Sequence, residues 1–236
     1  MSVLRTIERF DVAIQRVSLA LNEAGEAGAL PAILFLPSTH SPLRSIICLH
    51  GRGATKASML YPCCRLATRG YAALALDLPG HGERPRFRRG ADGDDERLRV
   101  VETAVHDVRA ATDALLSQPE AASTEVALVG FSLGAVVALR AAAADPRVAA
   151  VVAFMGAPLS QPEPFTSPTF RADLLLVAGT QDAAFPVEAM ARFKAMVADR
   201  RPDLSIECRQ PDVGHMLTPE VENEAFDWLQ ERFPPG

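Results

Sequence analysis

Residues 126–144 read VALVGFSLGAVVALRAAAA: an apolar run, then glycine, phenylalanine, serine, leucine, glycine, then a second apolar run rich in alanine. The first run has the β-branched content of a buried strand, and the second has helix-forming composition. Between them Gly130-Phe131-Ser132-Leu133-Gly134 forms a G-x-S-x-G segment at a strand-to-helix junction, the context in which this motif places an exposed serine hydroxyl. A side chain two positions before or after the serine would collide across so sharp a turn, which accounts for Gly130 and Gly134. The helix N-terminus beneath supplies free N–H groups and partial positive charge, and the Leu133 N–H becomes a candidate donor to an oxyanion. The same five letters also arise by chance at a helix entry rich in small residues, so partner residues must decide.

Working outward, short apolar runs alternate with longer helical patterns, as in βαβ units with a mostly parallel sheet. Eight strands are expected, at 10–19, 31–37, 45–50, 71–77, 125–131, 148–155, 173–179 and 204–210, the first two forming an antiparallel pair. Helices are expected at 55–68, 95–116, 133–144, 186–198 and from Thr218-Pro219 onward, where threonine caps and proline takes the first helical position. Leu98, Val101, Val105, Val108 and Leu115 mark the inward face of the second helix. No repeat or linker divides residues 1–236, so the expectation is one α/β domain with a doubly wound, eight-stranded sheet flanked by helices.

A serine hydroxyl is a weak nucleophile at neutral pH and needs a base that a carboxylate orients. In such a sheet, both belong on loops at the carboxyl ends of later strands. Asp182 follows the strand at 173–179, and His215 follows the one at 204–210, giving the chain order serine, acid, histidine. The strand before Gly156 is followed by no carboxylate. Asp212 is only three residues from His215 and reads as a residue that shapes the turn. His50-Gly51-Arg52-Gly53 reads as a turn that supplies the second oxyanion donor, the Arg52 N–H, with glycines admitting substrate. His81, in Asp77-Leu78-Pro79-Gly80-His81-Gly82, reads as loop architecture, and His40 and His106 carry no evident role.

These motifs, in this order, resemble the α/β-hydrolase superfamily over nearly the whole chain, most closely its small esterases and dienelactone-hydrolase-like branch. The resemblance implies a cofactor-independent serine hydrolase with no metal, acting on a small-molecule carboxylic ester. Ser132 stands where dienelactone hydrolases proper carry cysteine, which argues against lactone hydrolysis of their type. A thioesterase or acyltransferase with the same three residues, or a non-catalytic binding protein of this fold, are the alternatives.

Residues 157–172 are too few for a cap domain and read as a short flap, with Phe165 and Phe170 as apolar lining; His50, Gly51 and Gly53 complete the expected substrate contacts. A shallow pocket for short to medium acyl chains follows. The charged segment 83–97 reads either as a self-compensating surface loop or as an anion-binding site built on Arg84, Arg86, Arg88 or Arg89. Met59, Leu60 and Tyr61 read equally as pocket lining or as a core-facing helix. A net charge of −5 gives no reason to expect nucleic acid as a partner. The first seventeen residues hold no apolar block of signal-peptide length and no run reaches membrane-spanning length, so a cytoplasmic monomer or homodimer is expected. Cys48, Cys63, Cys64 and Cys208 match no zinc spacing and read as packing residues.

Overall fold

The computed structural model describes residues 1–9, 11–20, 28–38, 43–84, 94–119, 121–156 and 163–236. Among the described residues, nine strands form one sheet in the order β1-β2-β3-β5-β4-β6-β7-β8-β9. They are β1 (Ser2–Arg9), β2 (Val12–Ala20), β3 (Ala29–Pro37), β4 (Leu43–Leu49), β5 (Ala72–Leu76), β6 (Ala121–Phe131), β7 (Val148–Phe154), β8 (Asp173–Val177) and β9 (Ile206–Arg209). Pairing is antiparallel from β1 through β2 and β3 to β5, and parallel from β5 across to β9. The expected eight strands are all present, and β1 is a ninth. It pairs with β2 alone and leaves Val3, Leu4 and Ile7 half exposed, so burial imprints no pattern on its sequence.

Among the described residues, five α-helices cover the two faces: α1 (Leu60–Thr68), α2 (Asp94–Leu116), α3 (Leu133–Ala144), α4 (Val187–Arg200) and α5 (Pro219–Arg232). Side chains alternate across each strand. In β4, Ile47 and Leu49 point into the core beneath α2, α3 and α4, whereas Ile46 and Cys48 point into the core beneath α1 and α5. The inward face of α2 runs through Val100, Ala104, Val108, Ala111 and Leu115, with Val101 and Val105 beside it; Leu98 is exposed, contrary to expectation. The small Ala104 and Ala111 share the buried stripe with the larger Val100, Val108 and Leu115. All four cysteines are free, and Cys48 and Cys63 are fully buried packing residues. Among the described residues no helix is long and apolar enough to cross a membrane.

The chain winds outward from β4 to β5 and then returns to place β6 on the other side of β4. Loops at the carboxyl ends of β4 and β6 therefore diverge, and the gap between them is where an open α/β sheet exposes backbone donors to a ligand. His50-Gly51 leaves β4 there, and Ser132 leaves β6.

Candidate active site

Ser132 occupies the junction between β6 and α3 with φ 53° and ψ −112°, a region that non-glycine residues seldom enter. Its N–H donates to Phe154 O at 2.9 Å, so the residue is still tied to β7 while its carbonyl already accepts from Ala135 and Val136 of α3. The two glycines permit this. A Cβ on Gly130 would lie 2.2 Å from Gly134 O, and one on Gly134 would lie 2.2 Å from Leu49 O of β4. The helix backbone is thus pressed against both neighbouring strands, and the serine is pushed up over the sheet edge.

Asp182 is carried by the loop after β8 and His215 by the loop after β9. A Cβ on Gly179 would strike Val213 O at 2.2 Å, so the two loops touch backbone to backbone. Thr180 N–H donates to Pro211 O and Gln181 N–H to Val213 O. The side chains of Thr180 and Gln181 both donate to the Asp212 carboxylate, at 2.8 and 2.9 Å, which gives Asp212 its turn-shaping role.

These loops converge on Ser132. His215 Nε2 lies 3.0 Å from Ser132 Oγ, and His215 Nδ1 lies 2.7 Å from Asp182 Oδ2. The other carboxylate oxygen of Asp182 accepts from Ala184 N–H at 2.8 Å and Phe185 N–H at 3.0 Å. Burial pushes the Asp182 carboxyl up, but the His215 ring and these two amides outweigh it and hold it below the ordinary 3.8. The acid is therefore ionised near neutrality. Nδ1–H donates to it, and the Nε2 lone pair faces the serine hydroxyl.

The imidazole is also held on its faces. Phe185 stacks on it at 5.8 Å with an 18° interplanar angle, and Phe131 lies against it at 5.1 Å and 42°. Neither ring was among the expected contacts. Phe185 stands three residues after Asp182, so its amide caps the acid while its ring steadies the base.

The turn after β4 is closed by Ala54 N–H donating to Gly51 O, with Gly53 at φ 73°, the glycine position of a type II turn. Arg52 is exposed between them. Among the described residues no acceptor meets the Arg52 or the Leu133 N–H, so both remain available to a ligand at Ser132. A Cβ on Gly51 would lie 2.9 Å from the Phe131 ring, which explains that glycine by packing rather than by substrate approach.

Three expected substrate contacts are corrected. His50 is fully buried: its Nε2 accepts from Leu78 N–H at 3.0 Å and its Nδ1 donates to Gly51 O at 2.8 Å, so both nitrogens are spent inside the protein. Phe165 and Phe170 are also fully buried and pack edge to face with each other, Phe165 doing the same with Phe193 of α4. The second half of the expected flap thus dives into the core, because two phenylalanines lose more free energy in water than a lining role returns. Residues 157–162 lie outside the described residues.

Of the charged segment, Arg84 is ion-paired with Asp107 of α2, which removes it from an anion-binding role; Arg86, Arg88 and Arg89 lie outside the described residues. Met59 faces the core, but Leu60 and Tyr61 are exposed, at 38% and 58%, as is Met216 beside His215 at 55%. Met59, Phe131 and Leu217 share a narrow apolar crevice too tight to hold a water molecule. Among the described residues no cluster of three His, Cys, Asp or Glu is placed to hold a metal.

Solved structures share this fold. TT1662 from Thermus thermophilus superposes with a TM-score of 0.75 at 24% identity, covering 98% of each chain. A cold-adapted esterase from an Arctic intertidal metagenomic library gives 0.72 at 18% identity over 98% of this chain and 99% of its own. The Pyrococcus furiosus esterase Pf2001 gives 0.70 at 20% identity over 93% and 92%. No curated protein matches by sequence. The model of the dienelactone hydrolase family matches residues 30–225, from β3 through the histidine loop into α5, and the chain belongs to that family.

Proposed function

We propose that this hydrolase is a serine esterase that cleaves carboxylic esters of short to medium acyl chains through Ser132, His215 and Asp182. The observation that carries the reading is the unbroken relay from Asp182 to His215 to Ser132, at 2.7 and 3.0 Å, ending on a strained serine at a helix N-terminus. His215 Nε2 removes the hydroxyl proton as Ser132 Oγ attacks the acyl carbon. Asp182 holds the ring and stabilises the imidazolium. The Arg52 and Leu133 N–H groups receive the oxyanion of the tetrahedral intermediate. His215 then protonates the leaving alcohol, and water repeats the sequence on the acyl-enzyme, freeing the acid.

Exposed Met216, the residue after His215, supports a substrate whose carbonyl is flanked by small apolar groups. The crevice behind Phe131 is closed, so the acyl chain rests on the surface beside Ser132 instead of entering a tunnel. That favours short chains. An acyl-CoA thioester is less well served, since Arg84 is paired with Asp107.

The test is hydrolysis of p-nitrophenyl acetate, butyrate, octanoate and palmitate beside acetyl-CoA and butyryl-CoA, by wild type and Ser132→Ala. Rates that fall with chain length and drop by about 10⁴-fold or more in the variant are expected. A preference for the CoA esters moves the reading to a thioesterase. Silence on every ester, or activity indifferent to the substitution, points to a binding protein.

A further inference from the structure

Beside the turn that carries Arg52 lies a buried ion cluster that the mechanism does not use. Lys56 begins a short 3-10 turn (Lys56–Met59) after Thr55, whose side chain caps it. The Lys56 ammonium is nearly buried and sits 2.5 Å from Asp77 Oδ2 and 2.6 Å from Glu83 Oε1. The Lys56 backbone N–H donates to the other Asp77 oxygen at 2.8 Å, and Glu83 N–H donates to Oδ2 at 3.0 Å. Arg16 of β2 closes the cluster by pairing with Glu83 from outside. The loop is shaped around the carboxylate: a Cβ on Gly82 would meet it at 2.2 Å, and that glycine has φ 58°.

Burying a lysine and an aspartate together costs desolvation energy that their attraction barely repays, so such a pair adds little net stability over apolar packing. What it fixes is geometry. The residue after Asp77 is Leu78, whose N–H holds His50. The turn of residues 50–56 is therefore anchored at its two ends on two consecutive residues: His50 on Leu78, and Lys56 on Asp77. Between these anchors lies the Arg52 N–H, unpaired within the described residues. Loss of the Lys56 ammonium leaves that end held by its backbone N–H alone, so the turn is freer to tilt the Arg52 N–H away from Ser132.

We propose that Lys56 is a positioning residue for the oxyanion donor: its ion pair with Asp77 and Glu83 holds the Arg52 N–H at the place where the tetrahedral oxyanion forms. It touches no substrate and acts through the turn. The proposal rests on the serine-esterase reading.

The test compares wild type, Lys56→Met, Lys56→Arg and Glu83→Gln. Each is assayed for kcat and KM on p-nitrophenyl butyrate and for the inhibition constant of an alkyl trifluoromethyl ketone. The serine adds to that ketone to form a charged hemiketal, so its affinity reports the oxyanion site. In Lys56→Met, kcat is expected to fall about 10- to 100-fold with KM within about threefold, and the ketone to weaken in step. Lys56→Arg should recover most of both. Glu83→Gln, at the exposed side of the cluster, should shift both readouts in the same direction by a smaller factor, which keeps the test decisive if Lys56→Met does not fold. Folded variants with unchanged kcat overturn the proposal, as does a loss of kcat with ketone affinity intact, or no recovery with arginine. In those three outcomes the wild type still hydrolyses esters through Ser132, and only the role of Lys56 falls. A wild type silent on esters removes the esterase reading and the positioning role together.

Discussion

Ser132 keeps a backbone conformation that costs it free energy in isolation, because its neighbours leave no other path for the chain. One of these contacts is made by Gly134, whose missing side chain lets the first turn of α3 rest on Leu49. Gly134→Ala inserts a methyl group 2.2 Å from a backbone oxygen that cannot swing aside. It should cost about 2–4 kcal/mol by urea unfolding and lower kcat/KM on p-nitrophenyl butyrate by at least about 100-fold, since a displacement near 1 Å at the nucleophile has that effect. A subtler expectation concerns Phe185. Phe185→Leu keeps the amide that caps Asp182 but loses the ring stacked on His215; kcat should drop about 10-fold with folding intact, and Phe185→Tyr should restore it. The Ser132, His215 and Asp182 cluster was legible because each member follows a strand and carries a short local signal. The rings around His215 were not, because stacking depends on where two loops meet. Phe165 and Phe170 misled for a related reason: a proline-rich, irregular segment looks like surface whether or not its aromatics turn inward, and only α4 across the gap decides which.

At the scale of elements, what brings His215 to the serine is the helix that follows it. α5 begins at Pro219, four residues after His215, with Thr218 Oγ1 accepting from Val221 N–H and Pro219 in the first helical position. Arg65 of α1 pins the same end, bonding Glu222 at 2.8 Å and the Pro219 carbonyl. Thr218→Ala should lower stability by about 1 kcal/mol, the usual worth of a cap, and it should lower kcat more than a distant cap would, because fraying at Pro219 loosens the loop bearing the base. Thermal unfolding and kcat of the one variant check both halves. The Thr-Pro start of α5, the antiparallel opening of the sheet and the parallel strands after it were readable because capping chemistry and burial both write themselves into composition. β1 was not readable. It is an edge strand wetted on both sides, with Val3, Leu4, Arg5, Thr6 and Ile7 all exposed, and a strand without a buried face has no apolar period to announce it.

Over the whole molecule, the reversal of strand order between β4 and β6 gathers the Arg52 turn, Ser132 and His215 at one edge, and buried His50 links that edge to the loop after β5. This linkage gives stability a pH dependence of definite sign. Burial is the main cause that holds the His50 ring below its ordinary 6.5, and the nearby His81 and Lys56 charges act the same way, against the Gly51 carbonyl and Asp77. A histidine whose folded pKa is depressed binds its proton in the unfolded chain first. Stability is therefore whole above pH 6.5 and declines as pH falls from there towards the lowered value. The depressed carboxyls of Asp77, Asp145 and Asp182 act later, losing their contribution only as pH drops below their ordinary 3.8. Glu222 opposes both: burial raises its carboxyl above 4.5, so the folded state takes up that proton more readily as pH falls through the raised value. Between pH 6.5 and about 5 the decline should therefore belong to His50. Wild-type Tm should be level from pH 8 to 7 and fall through that window. His50→Gln, which can still accept from Leu78 and donate to Gly51, should begin lower but stay flat across it. Parallel decline of the two proteins would place the titrating group elsewhere, and a wild type level down to pH 5 would mean that His50 keeps an ordinary pKa inside the fold.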